Sequence, residues 1–155
     1  MNLGKLLRSW FTPAPKKVRL PDDPRLAADP WLGGTFARLG ERYRLAPDGS
    51  QVLRRTGRAR FNPMPVWLRS ADHMVRGDYE VRGDTAAARA LLDERVGGRL
   101  SALGLASTGD AIEEWAGSVL TRHYEGRCES PEQAAAAVRF ICEESETQVN
   151  LAAEP

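Results

Sequence analysis

Cysteine and histidine are scarce in this chain, with two of each among 155 residues. Two cysteines cannot build the multi-bridge framework of a small secreted domain, and no finger-type ligand spacing is present. Long apolar runs are missing as well: no uninterrupted stretch approaches the roughly 18 residues that a membrane-crossing helix requires. Also absent are a phosphate-binding P-loop, a nucleophile elbow, a glycine-rich dinucleotide turn and an HExxH zinc pattern. The glycines come as pairs at 33–34 and 97–98 or singly at turns. Nothing here points to an enzyme, a cofactor or a metal, and none is expected.

What the chain does have is charge. Charged residues make up 28% of it, beside 42% hydrophobic and 7% aromatic, the balance of one globular domain. The formal net charge is only +1, from 22 Lys+Arg and 21 Asp+Glu, but that total hides an asymmetry. Residues 1–83 hold 16 basic and 8 acidic side chains, a net of +8, and residues 84–155 hold 6 and 13, a net of −7. Such a dipole attracts an anionic partner at one end and a cationic one at the other, and it can order copies of the chain head to tail. The internal alternative packs the basic part on the acidic part, although exposed ion pairs contribute only about 0–1 kcal/mol each.

In residues 2–11 (NLGKLLRSWF), Leu3, Leu6, Leu7, Trp10 and Phe11 recur at helical spacing, with Lys5 and Arg8 off that face. This predicts a short amphipathic helix. Lys5 and Arg8 interrupt the apolar region and no small-residue cleavage site follows, so a signal peptide is not expected. A helix below roughly 12–15 residues needs a surface to lie against. Residues 12–34 contain Pro13, Pro15, Pro21, Pro24 and Pro30. Each fixes φ and disfavours helix at the residue before it, which predicts an extended arm reaching roughly 70 Å. Asp23-Pro24 and Asp29-Pro30 each suit an N-cap and first helical position, predicting single turns along that arm. Leu26, Trp31 and Leu32 then become anchors for a partner, and Lys16, Lys17 and Arg19 add a basic cluster.

From Arg42 the period changes to two. Tyr43-Arg44-Leu45, a turn at Ala46-Pro47-Asp48-Gly49, and Gln51-Val52-Leu53-Arg54 predict a β-hairpin. Pro63 and Pro65 confine residues 58–69 to an edge strand or irregular packing. Val75-Arg76-Gly77-Asp78 recurs as Val81-Arg82-Gly83-Asp84 around a short strand at 79–81, and the Arg-Gly-Asp triplets read as turns rather than as adhesion motifs. Arg54, Arg55, Arg58 and Arg60, with Arg42 and Arg44 across the hairpin, form a positive ribbon suited to phosphates.

The last third predicts helices. Asp84 caps one that Gly97-Gly98 stops or kinks. A second spans about 110–125, with Ile112, Trp115, Ala116, Val119, Leu120 and Tyr124 on one face. Ser130-Pro131-Glu132-Gln133 opens a third, a capping box that buries Ala134, Ala137, Val138, Ile141 and Cys142. Its Glu132, Glu143, Glu144 and Glu146 would repel phosphates, which argues against a recognition helix there.

Candidate chemistry is thin. His73 stands near Asp72, Asp78 and Glu80, and an acid/base or metal site would need these on one wall. His123, Cys128 and Cys142 do not form a ligand set. Cys142 stands well inside the last helix, roughly 15 Å or more from Cys128 at about 1.5 Å per residue. A disulfide spans no more than roughly 7 Å between Cα atoms. Two unpaired thiols fit a reducing, cytoplasmic compartment or a particle assembled there.

Together these features predict an α+β fold: an N-terminal amphipathic helix and Pro-rich arm over 1–34, one small α+β domain over 35–146, and a tail over 147–155. Within the domain, 35–83 is basic and β-rich, and 84–146 is an acidic helical hairpin or three-helix bundle. The expected function is that of a non-catalytic assembly protein. It docks on subunits of a larger complex, or on copies of itself, through Leu3, Leu6, Leu7, Trp10, Phe11, Leu26, Trp31 and Leu32, an architecture analogous to small components of phage particles and bacterial machines. The alternative is a nucleic-acid-binding protein that uses Arg42, Arg44, Arg54, Arg55, Arg58 and Arg60. A membrane is not an expected partner, because five apolar residues and two charges make a weak anchor.

Overall fold

A computed structural model describes residues 23–58, 60–114 and 117–144. The helix expected over 2–11, with Leu3, Leu6, Leu7, Trp10 and Phe11, lies outside the described residues, as does the arm up to residue 22.

The described chain begins with the two Asp-Pro steps. Asp23 accepts a hydrogen bond from the Arg25 backbone N–H at 2.9 Å and starts α1 (Pro24–Ala27). Asp29 accepts from the N–H groups of Trp31 and Leu32, both at 3.0 Å, and starts α2 (Pro30–Leu39). A single turn is right for α1, but α2 runs for ten residues. Gly33 and Gly34 do not end it because they are points of close approach. A Cβ on Gly33 would stand 2.5 Å from the Leu26 carbonyl oxygen, and one on Gly34 would stand 2.8 Å from the Pro131 ring.

Residues 23–34 therefore fold onto their own domain instead of forming an arm. Leu26, Trp31 and Leu32 are 2%, 5% and 7% exposed, part of the core and not available as anchors. Proline forbids a helix interior but favours the first helical position, and with an aspartate cap before it the same residue starts a helix.

Among the described residues, six antiparallel strands form one sheet in the order β1-β2-β3-β4-β6-β5. They are β1 (Tyr43–Leu45), β2 (Gln51–Gly57), β3 (Arg60–Arg69), β4 (Met74–Arg82), β5 (Ala106–Glu114) and β6 (Ser118–Arg127). The β1–β2 hairpin is as expected, its turn closed by Asp48, which accepts from the N–H groups of Ser50 and Gln51 at 2.9 and 3.0 Å. By contrast, β3 lies inside the sheet and not at an edge. The sheet tolerates Pro63 and Pro65 because the ladder gives way around them. Pairing with β2 slips between Gln51↔Trp67 and Leu53↔Pro63, and pairing with β4 covers only residues 66–69. Proline has no N–H to contribute there.

Asp84 caps α3 (Thr85–Leu91), accepting from the Ala87 N–H at 3.0 Å. The helical path continues through a π-helical turn (Leu92–Val96) into α4 (Gly97–Ala102), so Gly97-Gly98 do not stop it.

The largest correction concerns residues 110–125. Residues 110–114 belong to β5 and 118–125 to β6, two paired strands and not a helix, and the expected helical hairpin and three-helix bundle are not seen among the described residues. Leu120 and Tyr124 are four residues apart, a spacing shared by one helix face and one strand face. The deciding features are Gly117, which turns with φ 116°, and the alternation of buried Leu120, Arg122 and Tyr124 with less buried Val119, Thr121 and His123. Ser130 caps α5 (Pro131–Arg139) as expected, accepting from the Gln133 N–H at 3.1 Å. The Gln133 side chain does not close a capping box; it donates to the Leu103 carbonyl at 2.6 Å. A π-helical turn (Phe140–Glu144) extends α5.

The helices gather on one side of the sheet. Val52, Val66, Leu68, Val75, Tyr79, Val81, Leu120 and Tyr124 meet Phe36, Leu92, Leu100, Val138 and Ile141 in one core. Gly77 leaves its place on that face to Ile141, whose side chain a Cβ would strike. None of the described helices covers the opposite face, where Arg44, Arg55, Pro63, Arg69, Arg76 and Arg82 are exposed. No described helix is long and apolar enough to cross a membrane.

Candidate functional site

The uncovered face owes its composition to strand alternation. With Tyr43, Val52 and Arg54 turned to the core, their neighbours Arg42, Arg44, Leu53 and Arg55 take the other side. On β3 the outward set is Phe61, Pro63, Pro65, Trp67 and Arg69, and on β4 it begins with Met74 and Arg76. Two of these arginines lie over aromatic rings. The Arg44 guanidinium carbon is 4.0 Å from the Phe61 ring centre, and that of Arg76 is 4.5 Å from the Trp67 ring centre. The second pair follows from register, since Trp67 and Arg76 are directly opposed.

Charge is graded across the sheet. Strands β1, β2 and β3 contain five arginines and no carboxylate, whereas β5 contains three carboxylates and no cation. Between them β4 and β6 are mixed. There Asp78 Oδ1 and His123 Nδ1 are 2.7 Å apart, and Glu125 stands opposite Arg76. The sequence dipole is thus laid out in space from one sheet edge to the other. Every cation in the described sheet other than histidine is arginine, the side chain whose flat fork suits both phosphate oxygens and stacking on rings.

At the β3–β4 end of this face a cleft of about 370 Å³ opens among Leu32, Trp67, Leu68, Arg69, Met74, Arg76 and Glu125, with the β1–β2 turn at its rim. Arg69 is tied to Asp72 by two bonds, Nε to Oδ1 at 2.8 Å and Nη2 to Oδ2 at 2.7 Å. That partnership holds the Asp72 carboxyl below its ordinary range.

Of the six arginines expected to bind nucleic acid, the structure brings Arg42, Arg44 and Arg55 to the open face and sets Arg58 and Arg60 at the exposed β2–β3 tip. Arg54 does not join them. It faces the helices at 5% exposure, and its Nη1 donates to the Cys142 carbonyl at 3.0 Å. Adjacent residues of a strand cannot share a face, so Arg54-Arg55 splits.

The residues around His73 are not gathered. His73 stacks on Trp31 at 5.2 Å and approaches Glu129 at 3.3 Å, Asp72 pairs with Arg69, and Asp78 pairs with His123. Cys128 and Cys142 are buried and unlinked, and burial pushes the Cys128 thiol up to about 11. No group of acidic, histidine or cysteine side chains among the described residues could hold a metal ion.

Sequence reasoning missed Phe61, Trp67, Arg69, Arg76 and Glu125 as members of one surface. The signal was the alternation at 61, 63, 65, 67 and 69, which the two prolines obscured. No protein-family model, curated protein or solved structure matches this chain. Its functional reading therefore rests on its own residues.

Proposed function

We propose that this is a non-catalytic binding protein that lays a single strand of nucleic acid across the open face of its sheet. The observation that carries the reading is the pairing of arginine with aromatic rings on this face: Arg44 on Phe61, among strands β1–β3 that contain no carboxylate, and Arg76 of β4 on Trp67. Single-strand binders need a cationic track for phosphates and flat groups on which bases stack, each stacked base contributing about 1–3 kcal/mol. Arg42, Arg55, Arg58 and Arg60 extend the track along β2 and its tip. Two buried thiols not joined in a disulfide suit a reducing compartment such as the cytoplasm.

The test is a salt titration with labelled single strands. Log affinity should fall linearly with log salt, with a slope of about 0.7 per phosphate neutralised. Arg42→Ala, Arg44→Ala and Arg55→Ala together should flatten that slope, while Arg54→Ala should lower stability instead. An absence of binding at low salt overturns the proposal.

A second reading, a subunit of a larger assembly, is favoured by β5. All nine of its residues are exposed, among the described residues it pairs on one side only, with β6, and it carries Asp110, Glu113 and Glu114. A basic strand of another chain would suit that edge. Mass measurement at low and high salt tests it, since charge-driven association weakens as salt rises.

A further inference from the structure

The cleft at the β3–β4 end combines three features that a bare phosphate site would not have. Its lining is partly apolar, with Leu32, Trp67, Leu68 and Met74. Its rim carries Arg76, whose guanidinium is seated over the Trp67 ring. It also carries a carboxylate, Glu125, directly across the β4–β6 ladder from Arg76. Arg69 adds little free positive charge, because Asp72 already matches it with two hydrogen bonds.

A phosphate would be repelled by Glu125 and would leave the apolar lining unused. A flat ring with N–H donors on its edge uses all three features. It stacks on the Arg76 guanidinium or the Trp67 ring, covers the apolar side chains of the lining, and donates to Glu125. At about 370 Å³ the cleft is at the lower end of the roughly 300–1,000 Å³ range of small-ligand sites, a size for one ring system. The cleft is also continuous with the arginine face, since Trp67 and Arg76 belong to both.

We propose that this cleft holds one unstacked base of the bound strand and prefers bases with an exocyclic amino group, guanine, cytosine and adenine, over uracil and thymine. Glu125 is the specificity-determining residue. A carboxylate only accepts hydrogen bonds, so it accepts readily from an exocyclic amino group, whereas the single N3–H of uracil or thymine is flanked by two carbonyl oxygens that repel it. This inference rests on the single-strand reading above and adds base preference to it.

Fluorescence anisotropy with homopolymer strands of equal length, oligo(dA), oligo(dC) and oligo(dT), separates the two claims. The intact protein should bind oligo(dT) about tenfold more weakly than oligo(dC) at the same salt concentration. Glu125→Gln offers an amide that also donates, so it should raise oligo(dT) affinity and narrow the gap. Arg76→Ala should weaken all three strands together. Equal binding of all strands, unchanged by Glu125→Gln, overturns the base preference and leaves the single-strand reading standing. No binding of any strand at low salt overturns both. A thermal melt of each variant confirms that the open-face substitutions leave the core intact.

Discussion

Replacing Trp31 separates an anchor for a partner from a member of the protein's own core. In the structure Trp31 is 5% exposed, stacks on His73 with an interplanar angle of 11°, and donates from Nε1 to the Cys128 carbonyl at 2.8 Å. That bond joins the start of α2 to the end of β6 across 97 positions of sequence. Trp31→Phe keeps a buried ring but strands the Cys128 carbonyl without its donor, at a cost of about 1–3 kcal/mol. Trp31→Ala also opens a cavity, for a total of about 3–5 kcal/mol. With roughly 2–4 °C per kcal/mol in a domain of this size, the melting temperature should fall by about 2–12 °C for Phe and about 6–20 °C for Ala. The assay is a thermal melt of the isolated protein at two concentrations, followed by circular dichroism. The losses should be independent of concentration. A Trp31→Ala protein that melts within a degree of the parent, or loses stability only where it associates, would refute the placement of α2 in the core.

Gly126→Ala should be among the most damaging single substitutions. A Cβ there would overlap the Gly104 carbonyl oxygen and stand 2.8 Å from the Leu105 Cα, all backbone that cannot swing aside. The measure is the yield of folded protein, and a normal melt would contradict it. Lowering the pH should destabilise the fold through Asp29. Burial alone would raise its pKa, but hydrogen bonds from Ser70 and the Leu32 and Trp31 amides outweigh that and hold it below the ordinary value. A depressed carboxyl pKa contributes stability above the unfolded value of about 3.9, lost as pH falls through the folded value. Asp29→Ala should therefore cost about 0.5–2 kcal/mol at pH 7 and progressively less as pH falls through the folded value, read from denaturant melts. Asp110, held low chiefly by its Arg122 hydrogen bonds at 2.7 and 3.0 Å, adds to the same acid loss. The Cys128 thiol, with a pKa raised to about 11 by burial, should resist alkylation at pH 8 in the native protein and react readily in denaturant. Rapid native labelling of Cys128 would count against its burial.

Local chemistry was legible in the sequence. The caps at Asp23, Asp29, Asp84 and Ser130, the Asp48-Gly49 turn, and the buried stripe Ala134, Ala137, Val138, Ile141 and Cys142 needed only near neighbours. Each is a hydrogen bond or helical spacing within a few residues, which a linear reading can see. The charge asymmetry was legible too, because it is a sum over residues. What the tertiary structure decided was everything that depends on a partner far along the chain. Residues 118–125 satisfied both periods at Leu120 and Tyr124, and β4 made them a strand by pairing with β6 over nine positions. The Pro-rich stretch became α1 and α2 because a core existed to receive Leu26, Trp31 and Phe36. The arginine ribbon split at Arg54 because one side of β2 met Cys142 and the other met solvent. Phe61, Trp67, Arg76 and Glu125 share a surface only through sheet register, a relation between strands that no single segment carries.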